Sequence, residues 1–365
     1  MIMPKKDYLT ATDYYCFLQC PHWPYYERFA TPEEQKLKRE FTDGERNRLE
    51  DGLLHEREVV HELFQEQVVV QIATTEDLEA DFALTLESMR RGDSVIYQGT
   101  LLDGDWAGRP DLLRRVEGES SLGGWYYEPI DVKSAHHLSK YHKLQLMFYA
   151  VLLERVQGRF PAFGYIMNKD KAELAVELGE NITEFEAITR ELESIRAGER
   201  PEPVLRKSCL DTSPWGALCE RLAESTNDIA RLFNVDIRRL NALRELGVRT
   251  VDDAAEMDIV DLDGRAPGLR LHGLEVAKLQ AQSLQREQVI IREEVLLPVP
   301  PLEIHFDIES DPPNDFDYLY GCLIREKGIS TYRPFLAKKI EDEGLMWREF
   351  LDLSLIHISE PTRPY

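Results

Sequence analysis

The chain has 365 residues, 43% of them hydrophobic and 30% charged, which excludes a largely disordered protein. That length suggests two or three domains and is enough to bury sizeable cores without staples. Lys and Arg total 44 against 67 Asp and Glu, a formal net charge of −23, which excludes coating of nucleic acid by the whole surface but leaves room for a local cationic groove. Met1 to Thr10 holds no apolar stretch of the kind a secretory signal needs. A helix is expected from about Gly44 to Phe64, where Leu49, Leu53, Val59, Val60 and Leu63 form an approximate helical stripe. Short strands follow near Val95–Gln98, Arg109–Val116 and Trp125–Val132. A long helix, about Leu138–Arg155, then leads to a strand at Phe163–Asn168. Helix, three strands, helix and strand make an α/β core over residues 1–225, with a right-handed final crossover.

Residues 226–288 read as a separate all-helical domain. Short helices are expected to flank Gly247, with a second pair around Gly268 and Gly273, and Phe233, Leu240, Leu243, Leu246 and Val248 recur at helical spacing. The pattern looks like helix-hairpin-helix material, in which a glycine turn can present backbone amides to a phosphate; a plain helical linker fits equally. Val295 to Pro301, with its prolines, is a linker. Leu302–Ile308 and Tyr318–Arg325 begin a third domain, assigned to residues 295–353. Ser354 to Tyr365 resembles translated sequencing-adapter read-through and is set aside as artefactual, so that the last domain is expected to be cut short. The longest uncharged apolar run, Leu144–Leu153, falls far short of the ~20 residues of a membrane span. Five cysteines are too few for a disulfide scaffold; they point to a reducing cytoplasm, with metal binding open.

Four features of the first domain converge on one chemistry. Asp111, in Gly108-Arg109-Pro110-Asp111, places a carboxylate at the mouth of a sheet. In Asp131-Val132-Lys133, residues i and i+2 of a strand share a face, so a carboxylate lies beside an ammonium. Glu128 is out of phase with Asp131 and is read as structural. Gln145 and Tyr149, at i and i+4, lie on one face of the following helix, and His55 on the early helix offers an imidazole. A divalent metal takes oxygen ligands, and a nearby lysine can orient a water on it. Each piece alone has a plain reading as a turn, a surface pair, helix packing or a surface histidine. Their order along one α/β pattern is what carries the assignment. From Val132 to Leu153 there is no Asp or Glu, while Lys133, Lys140, Lys143, His136, His137 and His142 supply positive charge suited to a phosphodiester.

This set, His55, Asp111, Asp131-x-Lys133 and Gln145-x-x-x-Tyr149, resembles the RecB-type branch of the PD-(D/E)xK nucleases over residues 1–225. The resemblance implies a restriction-endonuclease-like core, a mixed sheet flanked by helices. It implies that His55, Asp111 and Asp131 bind Mg²⁺ or Mn²⁺, together with the Val132 carbonyl. Lys133 then serves the attacking water, and Gln145 and Tyr149 support the site and contact DNA. The implied reaction is metal-dependent hydrolysis of DNA, end-directed as in an exonuclease of repair or defence. Some RecB-like nucleases also carry a [4Fe–4S] cluster, with one early and three late cysteines. Cys20, Cys209 and Cys219 match that order; the middle late cysteine is missing near Thr212, and Cys16 is the candidate substitute.

In the third domain, Asp307-Ile308-Glu309 follows an apolar strand and resembles the first motif of ribonuclease-H-like exonucleases of the DEDD type, a second metal site whose later motifs this chain lacks. The domain order resembles a known group of bacterial and archaeal nucleases. Two further readings stay open: a catalytically inactive DNA-binding module, and a scaffold that makes its contacts through the helical middle.

Overall fold

The computed structural model describes residues 8–66, 68–233, 235–294, 300–311 and 314–357. The first seven residues, most of the Val295–Pro301 linker and the tail beyond His357 lie outside the described residues. The chain divides into two compact units, residues 1–290 and 291–365.

The first unit opens with α1 (Ala11–Gln19), α2 (His22–Phe29), α3 (Pro32–Gln35) and the long α4 (Asp43–Glu66). Then come β1 (Val69–Gln71), α5 (Leu78–Arg91), β2 (Val95–Tyr97), a small hairpin of β3 (Leu101–Asp103) and β4 (Trp106–Gly108), β5 (Leu112–Ser120) and β6 (Gly123–Val132). Helix α6 (Lys140–Gln157) leads to β7 (Phe163–Met167), β8 (Glu173–Glu177) and α7 (Ile182–Arg196). The sheet has the order β1-β2-β5-β6-β7-β8. Its β1–β2 and β6–β7 pairs are parallel and the rest antiparallel. This mixed sheet flanked by helices fits a restriction-endonuclease-like core.

The expected strands and the two long helices all form, with ends shifted by a few residues. The sequence pattern missed the helix α5, and it missed β1, the β3–β4 hairpin and β8 because strands of three to five residues carry too few alternations to register. The α4 stripe is buried only in part: Val59 and Val60 are buried, whereas Leu49 and Leu53 are more than half exposed.

The main core packs α6 against the sheet, with Leu144, Leu146, Met147, Phe148, Leu152 and Leu153 fully buried. A continuous apolar helix suits a parallel crossover that is covered on every side. Ser139 caps its first turn, accepting from the His142 amide at 3.2 Å. Gly108 lets α6 come close: a Cβ there would lie 2.9 Å from Leu152 Cδ1 and 3.1 Å from Phe148 Cε1 and Tyr149 Cδ1.

Helices α8 (Lys207–Asp211) and α9 (Gly216–Ser225) close this fold. A second core follows in α10 (Ile237–Glu245), α11 (Val251–Glu256), α12 (Ile259–Leu262) and α13 (Leu271–Arg286). Leu240, Leu243 and Val248 are buried there, but Phe233 is 74% exposed and outside the helices. Buried Arg244 joins this region to the preceding segment, donating to the Pro203 carbonyl at 2.6 Å and to Asp228 Oδ1 at 2.8 Å.

The amides of the Gly247 turn are bonded within the fold. Gly247, at φ +90°, closes α10, and its amide bonds the Arg244 carbonyl while that of Val248 bonds Leu243. The next two amides, of Arg249 and Thr250, are both taken by Asp253 Oδ2. Gly273 lies inside α13 rather than at a turn.

The second unit is an antiparallel sheet of order β11-β10-β9, from β9 (Leu302–Asp311), β10 (Phe316–Glu326) and β11 (Ile329–Leu336), followed by α14 (Glu343–His357). Phe306 stacks on Phe350 at 4.7 Å, so α14 covers one face of β9. No described helix is long and apolar enough to cross a membrane.

Candidate active site

The carboxylates meet where β5 begins and β6 ends. Asp111 is the residue before β5, and its Oδ2 accepts the Val132 amide at 2.7 Å. That bond ties the start of one strand to the end of its neighbour. Asp131, on central β6, is only 1% exposed. Its Oδ1 accepts from Gln145 Nε2 at 3.3 Å, and its Oδ2 lies 2.5 Å from Lys133 Nζ. The Lys133 ammonium is the partner of Asp131 Oδ2, and no second donor reaches that buried oxygen.

The electrostatics follow from crowding two carboxylates in one cleft. Burial, then the charge of Asp131, pushes the Asp111 carboxyl well above the usual aspartate range, against the pull of Lys133. Burial works against the Lys133 ammonium, but Asp131 and Asp111 outweigh it and hold its pKa above the ordinary lysine value. The lysine is therefore a cation at neutral pH. The donor set fits a hard divalent cation: two buried carboxylates, with Glu56 adding negative charge beside them.

Gln145 and Tyr149 are 6% and 5% exposed. Gln145 Nε2 also donates to the Tyr149 hydroxyl at 3.0 Å, and that hydroxyl donates to the Arg109 carbonyl at 3.3 Å. These bonds run inward, from α6 to Asp131 and to the backbone two residues before Asp111. Both side chains are buried, and their bonds brace Asp131 and the turn before Asp111. Glu128 faces the other side of β6, where the Tyr126 hydroxyl donates to it at 3.2 Å.

His55 stands at the same end of the sheet. Its Nε2 lies 3.1 Å from the carbonyl of Asn168, the residue after β7, where Met167 pairs with Val132. A carbonyl accepts only, so Nε2 is the donor in this contact and Nδ1 is the nitrogen it leaves for a metal.

The residue that sequence reasoning missed is Glu56. Its Oε1 accepts from the Tyr97 hydroxyl at 3.1 Å and Gln98 Nε2 at 2.8 Å, and its charge raises the Asp111 pKa further. Adjacent helical residues differ by about 100° in direction, so spacing alone could not choose between His55 and Glu56. Arg109 was also passed over; it bonds Asp81 Oδ2 and Thr100 Oγ1, each at 2.9 Å, and anchors the turn that presents Asp111.

The family model of the PD-(D/E)XK nuclease superfamily matches residues 10–220, more than half of the chain. The chain belongs to the PD-(D/E)XK nuclease superfamily. Members of this superfamily are generally metal-dependent nucleases, and membership implies a nucleic-acid substrate. Comparison with curated proteins finds no match.

The cationic stretch around α6 is partly neutralised. Lys140 pairs with Glu184 at 2.5 Å and His136 with Asp170 at 2.9 Å. Lys143 has no acidic partner among the described residues.

A second cluster of donors lies between the first two helices and the last two of the nuclease fold. Cys20 and Cys219 bring their sulfurs to 3.4 Å, and buried Cys209 donates to the Val204 carbonyl at 3.4 Å, the neighbouring Cys20 and Cys219 thiols holding its own below the ordinary range. Buried His22 joins Cys20 and Cys219, with its ligand atom within 4.8 Å of both sulfurs. Cys16 and Cys209 are buried beside them, and neither sulfur is in this group of mutually close donors.

In the second unit, Asp307 and Glu309 share a face of β9 and are both exposed, and Asp307 Oδ1 accepts the Ile308 amide at 3.0 Å.

Proposed function

We propose that this chain is a Mg²⁺- or Mn²⁺-dependent deoxyribonuclease of the RecB type, acting from DNA ends, with Asp111, Asp131 and Lys133 at its centre. The observation that carries the reading is the buried meeting of Asp111, Asp131 and Lys133: Asp131 is 1% exposed, Lys133 Nζ lies 2.5 Å from its Oδ2, and its charge bears on Asp111. Asp111, Asp131 and His55 would hold the cation, which supplies a Lewis acid and a low-pKa water. The Val132 amide fixes one oxygen of Asp111, and Gln145, steadied by Tyr149, fixes one of Asp131. Each carboxylate is thus left with one oxygen toward the cleft. Lys133, a cation, orients the nucleophilic water and offsets charge that develops on the scissile phosphate. The unpaired Lys143 at the start of α6 would contact the DNA backbone. Asp307 and Glu309 are read as the first acidic pair of a separate ribonuclease-H-like site; their shared strand face is its support.

The test is digestion of 5′- and 3′-end-labelled single- and double-stranded DNA by the full chain, beside Lys133→Ala. We expect cleavage with Mg²⁺ or Mn²⁺, none in EDTA, and at least a ~100-fold loss in the variant with DNA binding retained. The product ladder reads the polarity. Equal cleavage by Lys133→Ala would remove the lysine from the reaction. Tight DNA binding without cleavage at any metal concentration would favour a binding module.

A further inference from the structure

Cys20, His22 and Cys219 form a group of mutually close donors outside the carboxylate cleft, with the Cys209 thiol against Cys20 and Cys219, and the geometry separates two kinds of metal. Ligands of one tetrahedral zinc ion, each sulfur at about 2.3 Å from it, stand roughly 3.8 Å apart. Each thiolate of a cubane cluster bonds a different iron, so its sulfurs stand a whole cluster apart. Here Cys20 Sγ and Cys219 Sγ are 3.4 Å apart, and the His22 ligand atom is within 4.8 Å of both. That spacing fits one ion and leaves no room for four irons. The fourth ligand differs as well. Thr212, where a fourth cysteine was expected, ends α8; Cys16 and Cys209 both stand outside the close trio, but only Cys209 has its thiol against those of Cys20 and Cys219.

His22 fills the vacancy in the ligand count. It is fully buried, its Nε2 lies 3.0 Å from the Pro201 carbonyl, and its Nδ1 has no partner. A carbonyl can only accept, so the proton is on Nε2 and the Nδ1 lone pair is free. This is the outer bond that orients zinc-bound histidines. We propose that Cys20, His22, Cys209 and Cys219 bind a single structural Zn²⁺ in place of the iron–sulfur cluster that the family resemblance suggested. A closed set of three thiolates and one imidazole leaves no position for substrate, as in structural zinc sites. The ion would tie the α1–α2 hairpin to α8 and α9, closing a loop of nearly two hundred residues from Cys20 to Cys219.

The experiment is metal analysis of the full chain purified without oxygen or chelator, followed by replacement with Co²⁺. We expect one zinc per chain, no acid-labile sulfide and no brown colour. The Co²⁺ form should show intense tetrahedral d–d bands and sulfur-to-cobalt charge transfer. His22→Ala should cost at least the roughly 10- to 100-fold in zinc affinity that outer contacts alone command, His22→Cys should recover it, and Cys16→Ser should leave it unchanged. Iron and sulfide in near-equal amounts, or a metal-free chain whose five thiols all react with a disulfide reagent once unfolded, would overturn the proposal. So would loss of zinc in Cys16→Ser with none in His22→Ala. None of these readouts depends on DNA cleavage, so they are independent of the nuclease reading.

Discussion

Asp111 stands out among the site residues because its fold works against its charge. Burial and the neighbouring Asp131 raise its pKa, so the charged form costs stability. The stability this group contributes is complete below the ordinary aspartate pKa and is lost as pH rises through the raised value. Asp111→Asn should therefore melt higher than the parent at pH 7.5 in EDTA, and the gap should close as the pH is lowered toward 4. The amide oxygen can still accept the Val132 amide, so the local geometry survives. The same variant should have no cleavage activity, the trade that a strained catalytic group imposes. Thermal melts of both proteins across pH check this; an Asn variant that melts lower in EDTA at pH 7.5 would contradict the repulsion. At this scale the sequence was informative about identity. Asp111, Asp131 and Lys133 were legible because period-two geometry and a strand start determine which way they point. Glu56 and His22 were not, because their roles come from partners far away in the chain, Tyr97 and Gln98 for one, Pro201 and Cys219 for the other.

Among the elements, the pairing of α6 with the β3–β4 hairpin sets the site. Gly108 allows the approach, and Tyr149 uses it to reach the Arg109 carbonyl. Gly108→Ala inserts a methyl 2.9 Å from Leu152 and 3.1 Å from the Phe148 and Tyr149 rings, against close-packed and rigid neighbours. Overpacking of this kind costs about 1–3 kcal/mol. We expect a lower denaturation midpoint together with slower cleavage, since a shifted Tyr149 loosens Gln145 on Asp131. Wild-type activity in a destabilised Gly108→Ala would mean that the hydrogen-bonded chain does not govern the carboxylates. Helix α6 itself was plain in the sequence: a long apolar run, a serine cap and a following glycine. The hairpin beneath it was not, since strands of three residues leave no periodic trace. The Gly247 turn taught the opposite lesson. A glycine between short helices was visible, but whether its amides face a phosphate depended on Asp253 and the closing bonds of α10, which had already used them.

For the whole molecule, a net charge of −23 leaves room for no more than a local cationic patch for nucleic acid. Ion pairs reduce that patch further, since Lys133 pairs with Asp131 and Lys140 with Glu184, while Lys143 has no acidic partner among the described residues. With only about two to four phosphates neutralised, the slope of log K against log salt should lie near −2 to −4. Fluorescence anisotropy of labelled DNA in Ca²⁺ from 50 to 300 mM KCl measures it; a slope of −6 or steeper would reveal a wider basic surface.

The sequence by itself determined the class of this protein. Composition, the order of helix and strand, and two carboxylates with a lysine at strand spacing are local properties, and local geometry is enough to read them. The mixed sheet order, the inward role of Gln145 and Tyr149, and the grouping of His22 with cysteines nearly two hundred residues away were decided by the tertiary structure alone. The physical reason is that hydrogen-bond partners and metal ligands are chosen by distance in space. Chain separation carries no information about which buried lone pair will face which donor.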